Sequence, residues 1–159
     1  MANNARLSSA AAWFAYAVED IKAARTLMEA GQYPIACFHA QQAAEKALKG
    51  LLSATNDVEK GHSVSHLAKT IHELQYDANE PLPPVGKLDR FYIATRYPDA
   101  LPGSSAMDVF DIDDASDAIR VAEQTVLLLA KWGREAGIDI PAETMASIQK
   151  QSTTGHHGS

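Results

Sequence analysis

The run YIATRYPDA, residues 92–100, brings one cation and two phenol rings to the end of a predicted helix. Arg96 near a helix C-terminus would interact favourably with the helix dipole. An arginine beside Tyr92 and Tyr97 could also bind a phosphate by forked hydrogen bonds while a ring stacks on a base. Pro98 disfavours helical geometry for the residue before it and so explains the helix end by itself. These residues alone fit two interpretations, a nucleotide or RNA site and a simple helix end.

A second polar set lies on the helix predicted for residues 34–54. Glu45 and Lys49 are four residues apart, in the order that stabilises a helix through an ion pair. A solvated surface with one ion pair is one interpretation, and a functional pair is the other. Phe38 and Gln42 share this face, and an aromatic among polar residues indicates contact with a partner subunit or a ligand. We therefore predict Phe38 and Gln42 to form a dimer face.

The histidines and the cysteine give a weaker case for chemistry. His62 and His66 are four residues apart, but His72 falls off their shared helix face. Structural zinc needs four well-placed ligands and no carboxylate completes this set, so we predict no metal site. Cys37 lies beside an alanine-rich helix face, which indicates a small core residue rather than a nucleophile. The sequence has no glycine-rich phosphate loop, CxxC pair or GxSxG elbow, and we predict no cofactor.

The composition is typical of one helical domain. A chain of 159 residues is long enough to bury a core. Its net charge of −6 argues against nonspecific binding of phosphate backbones over a broad basic surface. One cysteine excludes an internal disulfide framework and suits a reducing, cytoplasmic location. The apolar run at the N-terminus passes directly into charged residues, and no run reaches membrane-spanning length, so we predict neither secretion nor a membrane segment.

Apolar residues at helical spacing predict five helices, with no strand alternation. Their approximate ranges are 9–30, 34–54, 63–76, 85–97 and 113–135. Short connections between them indicate an all-α, five-helix up-and-down bundle, with a domain over residues 8–136. Residues 137–159 show weak periodicity and are predicted to form a flexible C-terminal tail.

Three segments together resemble one known family. The segments GQYPIACFHAQQAAEKALKGLL, GHSVSHL and FYIATRYPDA follow one another within roughly residues 10–130. They resemble the HEPN family (higher eukaryotes and prokaryotes nucleotide-binding domain). The resemblance implies a helical bundle of the nucleotidyltransferase substrate-binding-subunit type and a two-fold homodimer with a cleft between subunits. It also implies a minimal nucleotidyltransferase as partner, the two proteins acting as toxin and antitoxin.

The resemblance also implies site residues. Active HEPN proteins are metal-independent RNases with an arginine, four to six intervening residues and a histidine, supported by an E-x-x-x-K-like pair on an earlier helix. Glu45 and Lys49 match that pair and Arg96 matches the arginine, but residues 97–103 contain no histidine. Metal-free RNA cleavage needs a group that exchanges protons near neutral pH, and arginine does not do so readily. His39 and His62 could supply such a group only from other helices.

Three functional hypotheses follow. The first is a catalytically weak or inactive protein that binds a nucleotide or RNA at the dimer cleft and acts with a nucleotidyltransferase. Its binding residues would be Glu45, Lys49, Tyr92, Arg96 and Tyr97. The second is a metal-independent endoribonuclease toxin, with Arg96 as a catalytic residue and an unusual base. The third is a ligand-free dimerisation or interaction module.

Overall fold

The computed structural model describes residues 2–55, 63–74, 76, 79–94 and 109–154, and these ranges contain helices but no strand. The elements are α1 (Ala2–Glu29), α2 (Tyr33–Ala54), α3 (Val64–Glu73), a 3-10 turn (Val85–Leu88), α4 (Arg90–Ala94), α5 (Ile112–Glu135) and α6 (Ala142–Thr154). The predicted all-α bundle is confirmed, with one more α-helix than predicted over the described ranges. None of the described helices combines the length and the apolar character needed to cross a bilayer.

Helix α2 lies at the centre and packs along both α1 and α5. Its inward side is made of small residues that let neighbouring backbones approach closely, and these are fully buried: Ala36, Ala40, Ala43, Ala44 and Ala47. Cys37 is also fully buried here. Burial, and then the negative charge of Asp114, raise the pKa of the Cys37 thiol to about 12. The reactive thiolate is therefore strongly disfavoured, which confirms Cys37 as a core residue.

Gly50 allows α2 to pack closely against α1 at Trp13 and Phe14. A Cβ on Gly50 would lie 3.0 Å from the Trp13 Cβ and 3.0 Å from the Phe14 Cε2, shorter than ordinary contacts. Phe14 is buried in the core, whereas Trp13 is half-buried and its ring lies next to Lys49. The missing side chain at Gly50 thus places the Trp13 ring beside the polar side of α2.

Local signals explain where α1 ends, as predicted, and how the chain turns into α2. Gly31 has a φ of +78°, the left-handed conformation that glycine adopts without strain. The Gln32 amide donates to the Leu27 carbonyl and the Gly31 amide to that of Met28, so the last carbonyls of α1 are satisfied. The helix begins at Ala2, earlier than the predicted residue 9. Leu7 packs against the core, which extends the buried side of α1 toward the N-terminus.

The start of α3 is capped by a side chain from a distant part of the chain. Ser63 is the N-cap, and its hydroxyl accepts from the His66 amide. Asp89, directly before α4, accepts from the Val64 amide at 2.7 Å and from the Ser65 amide at 3.2 Å. One carboxylate therefore satisfies two of the amides that a helix start leaves without helical partners. This attaches α3 to the beginning of α4.

Replacing Asp89 by alanine is expected to lower the free energy of unfolding by about 1–2 kcal/mol, because two amides at the start of α3 lose their acceptor. Urea denaturation followed by circular dichroism measures the change. Asp139→Ala removes an exposed carboxylate elsewhere and should change stability by less than about 0.5 kcal/mol. Equal effects of the two substitutions would contradict the proposed capping role.

The helix predicted for residues 85–97 has a different beginning. It opens with the 3-10 turn and continues as α4, while residues 95–108 lie outside the described residues.

Helix α5 starts with a reciprocal capping box in which Asp111 accepts from the Asp114 amide and Asp114 from the Asp111 amide. The amide of Asp114 lowers the pKa of Asp111. Asp113 and Asp114 place negative charge in the first turn of α5, where it interacts favourably with the helix dipole.

The segment after α5 differs from the flexible tail predicted for residues 137–159. Four of its apolar side chains are buried against the bundle: Ile138, Ile140, Met145 and Ile148. The Arg134 Nε donates to the Ile140 carbonyl at 2.9 Å, and the Arg25 Nη2 donates to the Ile148 carbonyl at 3.0 Å. Residues 138–149 thus pack as part of the domain, and residues 155–159 lie outside the described residues.

Candidate functional site

One side of α2 carries a continuous row of half-buried side chains, which we call the α2 face. It consists of Phe38, His39, Gln42, Lys46 and Lys49, with the Glu45 carboxylate beneath. The row is flanked by Trp13, Tyr16 and Asp20 of α1 and by Tyr92 of α4. The structure therefore brings three of the predicted binding residues, Glu45, Lys49 and Tyr92, to one side of the bundle.

Glu45 and Lys49 form the predicted ion pair, but in a buried setting. The Lys49 Nζ lies 3.7 Å from the Glu45 Oε2, and only 3% of Glu45 is exposed. The same Nζ lies 5.8 Å from the centroid of the Trp13 ring, within the range of a cation–π contact. A solvated ion pair is therefore the wrong interpretation for Glu45. A buried carboxylate needs its cation, so the pair fixes the position of a positive charge at the surface.

A second charged cluster joins α1 to α2. The Asp20 Oδ1 lies 2.9 Å from the His39 Nδ1, and its Oδ2 accepts from the Lys46 Nζ at 2.5 Å. Asp20 is only 8% exposed, whereas its two partners are half-buried. The Lys46 Nζ also lies 5.9 Å from the ring centroid of Tyr16, an exposed residue. We call Asp20, His39 and Lys46 the Asp20 cluster.

The sequence contains a signal for the Asp20 cluster that the helical pattern alone does not show. Asp20 lies eleven residues before Gly31, and His39 and Lys46 lie eight and fifteen residues after it. In an antiparallel hairpin that turns at Gly31, Asp20 of α1 therefore lies opposite a point on α2 between His39 and Lys46. Pairing across the hairpin, rather than spacing along one helix, identifies the cluster.

The two residues predicted as a dimer face have contacts within the chain. The Phe38 ring lies 6.3 Å from the Tyr92 ring and 5.6 Å from the His39 ring, centroid to centroid. The Gln42 amide donates to the side-chain oxygen of Gln41, a fully buried residue, at 2.7 Å. Phe38 and Gln42 lie on the α2 face as expected, and their part in a dimer stays a prediction.

Of the two arginines in and before the run YIATRYPDA, Arg90 lies within the described residues and Arg96 does not. The Arg90 Nη2 lies 3.1 Å from the Asp114 Oδ1, and its guanidinium lies over the rings of Phe91 and Phe110. Arg90 thus joins α4 to the start of α5. Arg96, Tyr97 and His62 lie outside the described residues. Among the described residues, no group of three or more His, Cys, Asp or Glu side chains is arranged to hold a metal ion.

Comparison with known proteins gives consistent matches over most of the chain. The sequence profile of the HEPN domain matches residues 10–132. A protein of Methanocaldococcus jannaschii named "Putative toxin MJ1304" is 24% identical over 128 residues, which span 75% of this chain and 84% of that protein.

Two crystal structures have similar folds. TT1696 from Thermus thermophilus superposes with a TM-score of 0.68 at 34% identity, over 77% of this chain and 97% of that chain. ST0689, described as an archaeal HEPN homologue, superposes with a TM-score of 0.62 at 30% identity, over 78% of this chain and 97% of that chain.

Proposed function

The chain belongs to the HEPN domain family, and from this premise we propose that it binds single-stranded RNA on the α2 face. The observation that carries the proposal is the alternation of cations and aromatic rings there. The Lys46 and Lys49 ammonium groups each lie within 6 Å of a ring centroid, at 5.9 Å from Tyr16 and 5.8 Å from Trp13. Proteins that bind single strands combine cations for the phosphates with rings on which bases stack.

The dimensions of the face favour a short strand over a single nucleotide. Phe38 and Lys49 are eleven residues apart on one helix, which corresponds to about 16 Å at 1.5 Å per residue. Each base stacked on a ring contributes about 1–3 kcal/mol, so a few stacked bases suffice for stable binding. The net charge of −6 opposes long-range attraction of RNA, and affinity must therefore come from these local contacts.

Lys49→Ala is expected to weaken binding of a fluorescein-labelled 10-nucleotide RNA about tenfold, measured by fluorescence anisotropy at constant salt. The substitution removes a phosphate-binding cation and leaves the Glu45 carboxylate to repel the phosphate. Lys69→Ala, which removes an exposed lysine from α3, is the matched control and should change affinity less than twofold. Equal losses in the two variants would place RNA elsewhere. Arg96→Ala tests a second cation of the predicted site in the same assay.

We further propose a homodimer that places two α2 faces along one cleft, with a minimal nucleotidyltransferase as its partner. Family membership and the relative named as a toxin support this arrangement. Co-expression with a nucleotidyltransferase encoded next to this gene, followed by affinity capture, tests the partner. Light scattering of Phe38→Asp tests the dimer face. If Phe38→Asp separates the dimer and the wild-type protein binds no RNA, the ligand-free interaction module would be favoured instead.

The second candidate function is cleavage of the bound RNA, as in a toxin of a toxin–antitoxin pair. The name of the Methanocaldococcus jannaschii relative favours it. Loss of growth on expression, together with RNA degradation in EDTA by the purified protein, would support this candidate over simple binding.

A further inference from the structure

We propose that His39 is the proton-transfer group of an RNA-cleaving site on the α2 face, and that Asp20 is its positioning residue. The proposal rests on the RNA binding proposed above and names the group that moves the proton. No histidine follows Arg96 within residues 97–103, so this role needs a side chain from another helix. The structure assigns His39 a geometry suited to it.

The hydrogen bond to Asp20 fixes which nitrogen of His39 can take a proton. An ionised carboxylate only accepts hydrogen bonds, so the His39 Nδ1, 2.9 Å from the Asp20 Oδ1, carries the hydrogen. The lone pair of the neutral ring then lies on Nε2, which has no hydrogen-bond partner within the described part of the chain. The His39 side chain is 31% exposed, so part of it is open to solvent.

Asp20 is held firmly enough to orient the ring. Its other oxygen accepts from the Lys46 Nζ at 2.5 Å, and only 11% of its side chain is exposed. The charged and titratable groups around His39 are Asp20 of α1 and Lys46 of α2, with Tyr92 of α4 behind the Phe38 ring. An imidazole held in one orientation is the side chain that most often serves as a general base.

The reaction that fits this arrangement needs no metal or other co-reactant. The ribose 2′-oxygen forms a bond to the adjacent phosphorus while the His39 Nε2 takes the 2′-hydroxyl proton. The bond from phosphorus to the 5′-oxygen of the next nucleotide breaks, and that oxygen takes a proton from water. The products are a 2′,3′-cyclic phosphate and a 5′-hydroxyl, and the imidazolium returns its proton to the solvent. The Lys46 ammonium group, which shares the Asp20 carboxylate with His39, can offset the charge on the phosphate.

The first test compares His39→Asn with the wild-type protein on a fluorescein-labelled 12-nucleotide RNA in EDTA. We expect the wild-type protein to produce 2′,3′-cyclic phosphate ends and the variant to cleave at least 100-fold more slowly, the usual contribution of a positioned base. Binding of a 2′-O-methyl RNA, which cannot be cleaved, should stay within about threefold. His72→Asn removes a histidine of α3 and should leave the cleavage rate unchanged.

The positioning role of Asp20 has its own signature. Asp20→Asn should lower kcat about 10- to 100-fold with KM within about threefold. Nitrogen-15 NMR of the wild-type protein provides a measurement that does not depend on the variant folding. It should show the His39 signal, assigned by through-bond correlation to the His39 backbone, as the Nδ1–H form.

The outcomes separate this proposal from RNA binding itself. RNA binding without any cleavage in EDTA, cleavage by His39→Asn at the wild-type rate, or an Nε2–H form of His39 would each overturn the role of His39 and leave the binding proposal standing. Absence of any RNA binding would overturn both.

Discussion

Replacing Ile148 by alanine is expected to lower the free energy of unfolding by about 2–5 kcal/mol, the range for removing a large buried aliphatic side chain. Ile148 is 0% exposed, although the sequence pattern places it in a flexible tail. Its carbonyl is also bound by the Arg25 guanidinium at 3.0 Å, so α6 is attached by both apolar and polar contacts. Denaturant unfolding followed by circular dichroism and tryptophan fluorescence measures the loss.

Glu143 is the matched control because it lies exposed on the same helix. Glu143→Ala should change the free energy of unfolding by less than about 0.5 kcal/mol. A tail that does not pack would make both substitutions neutral, and removal of residues 138–159 would then be neutral as well. Loss of stability in Ile148→Ala and in the truncated protein, but not in Glu143→Ala, would establish α6 as part of the folded domain.

Arg25→Met is the second substitution with a large expected effect, about 3 kcal/mol of lost stability. The Arg25 Nη2 lies 2.5 Å from the Glu123 Oε2, and the two side chains are 13% and 12% exposed. Removing the guanidinium leaves a largely buried carboxylate without this cation, and removal of one partner of a buried pair costs about 3–5 kcal/mol. The remaining exposure places the expected value at the lower end of that range.

A double-mutant cycle identifies the origin of this loss. Arg25→Met combined with Glu123→Leu should recover most of the stability, because replacing both charges by apolar groups is often neutral. The coupling energy should be about 2 kcal/mol. Lys22→Ala breaks an exposed pair with Glu19 on the same helix, with side chains 41% and 71% exposed, and should be nearly neutral. Additive effects of Arg25→Met and Glu123→Leu would show that the pair itself does not stabilise the contact.

The fold was predictable where its signals are local. Gly31 and Pro34 act through backbone preferences at the end of α1 and in the first turn of α2, and Ser63 caps α3 with its side chain. The segment after residue 137 was not predictable in the same way. Ile138 and Ile140 lie in a stretch without regular secondary structure, and α6 has too few apolar residues to show a period. Their burial depends on the surface that α1 and α5 present.

The candidate site was predictable only in part. The spacing of Glu45 and Lys49 indicates an ion pair, but burial of Glu45 depends on neighbouring helices. The Asp20–His39 contact crosses between two helices, so periodicity along either helix does not contain it. A role for Arg96 came from resemblance to a family rather than from its own surroundings. Residue types and spacing thus predict candidates, and contacts between helices determine which of them can act together.

The carboxylate of Asp89 makes the start of α3 a reporter of events at α4. Asp89 directly precedes α4, which contains the first residues of the run YIATRYPDA, and it accepts from the amides of Val64 and Ser65. A displacement of the first turn of α4 would withdraw that acceptor and expose both amides to solvent. Hydrogen–deuterium exchange at these two amides would then speed up without any change in the core of the bundle. Ligand or partner binding near α4 can therefore be followed at residues that do not contact it.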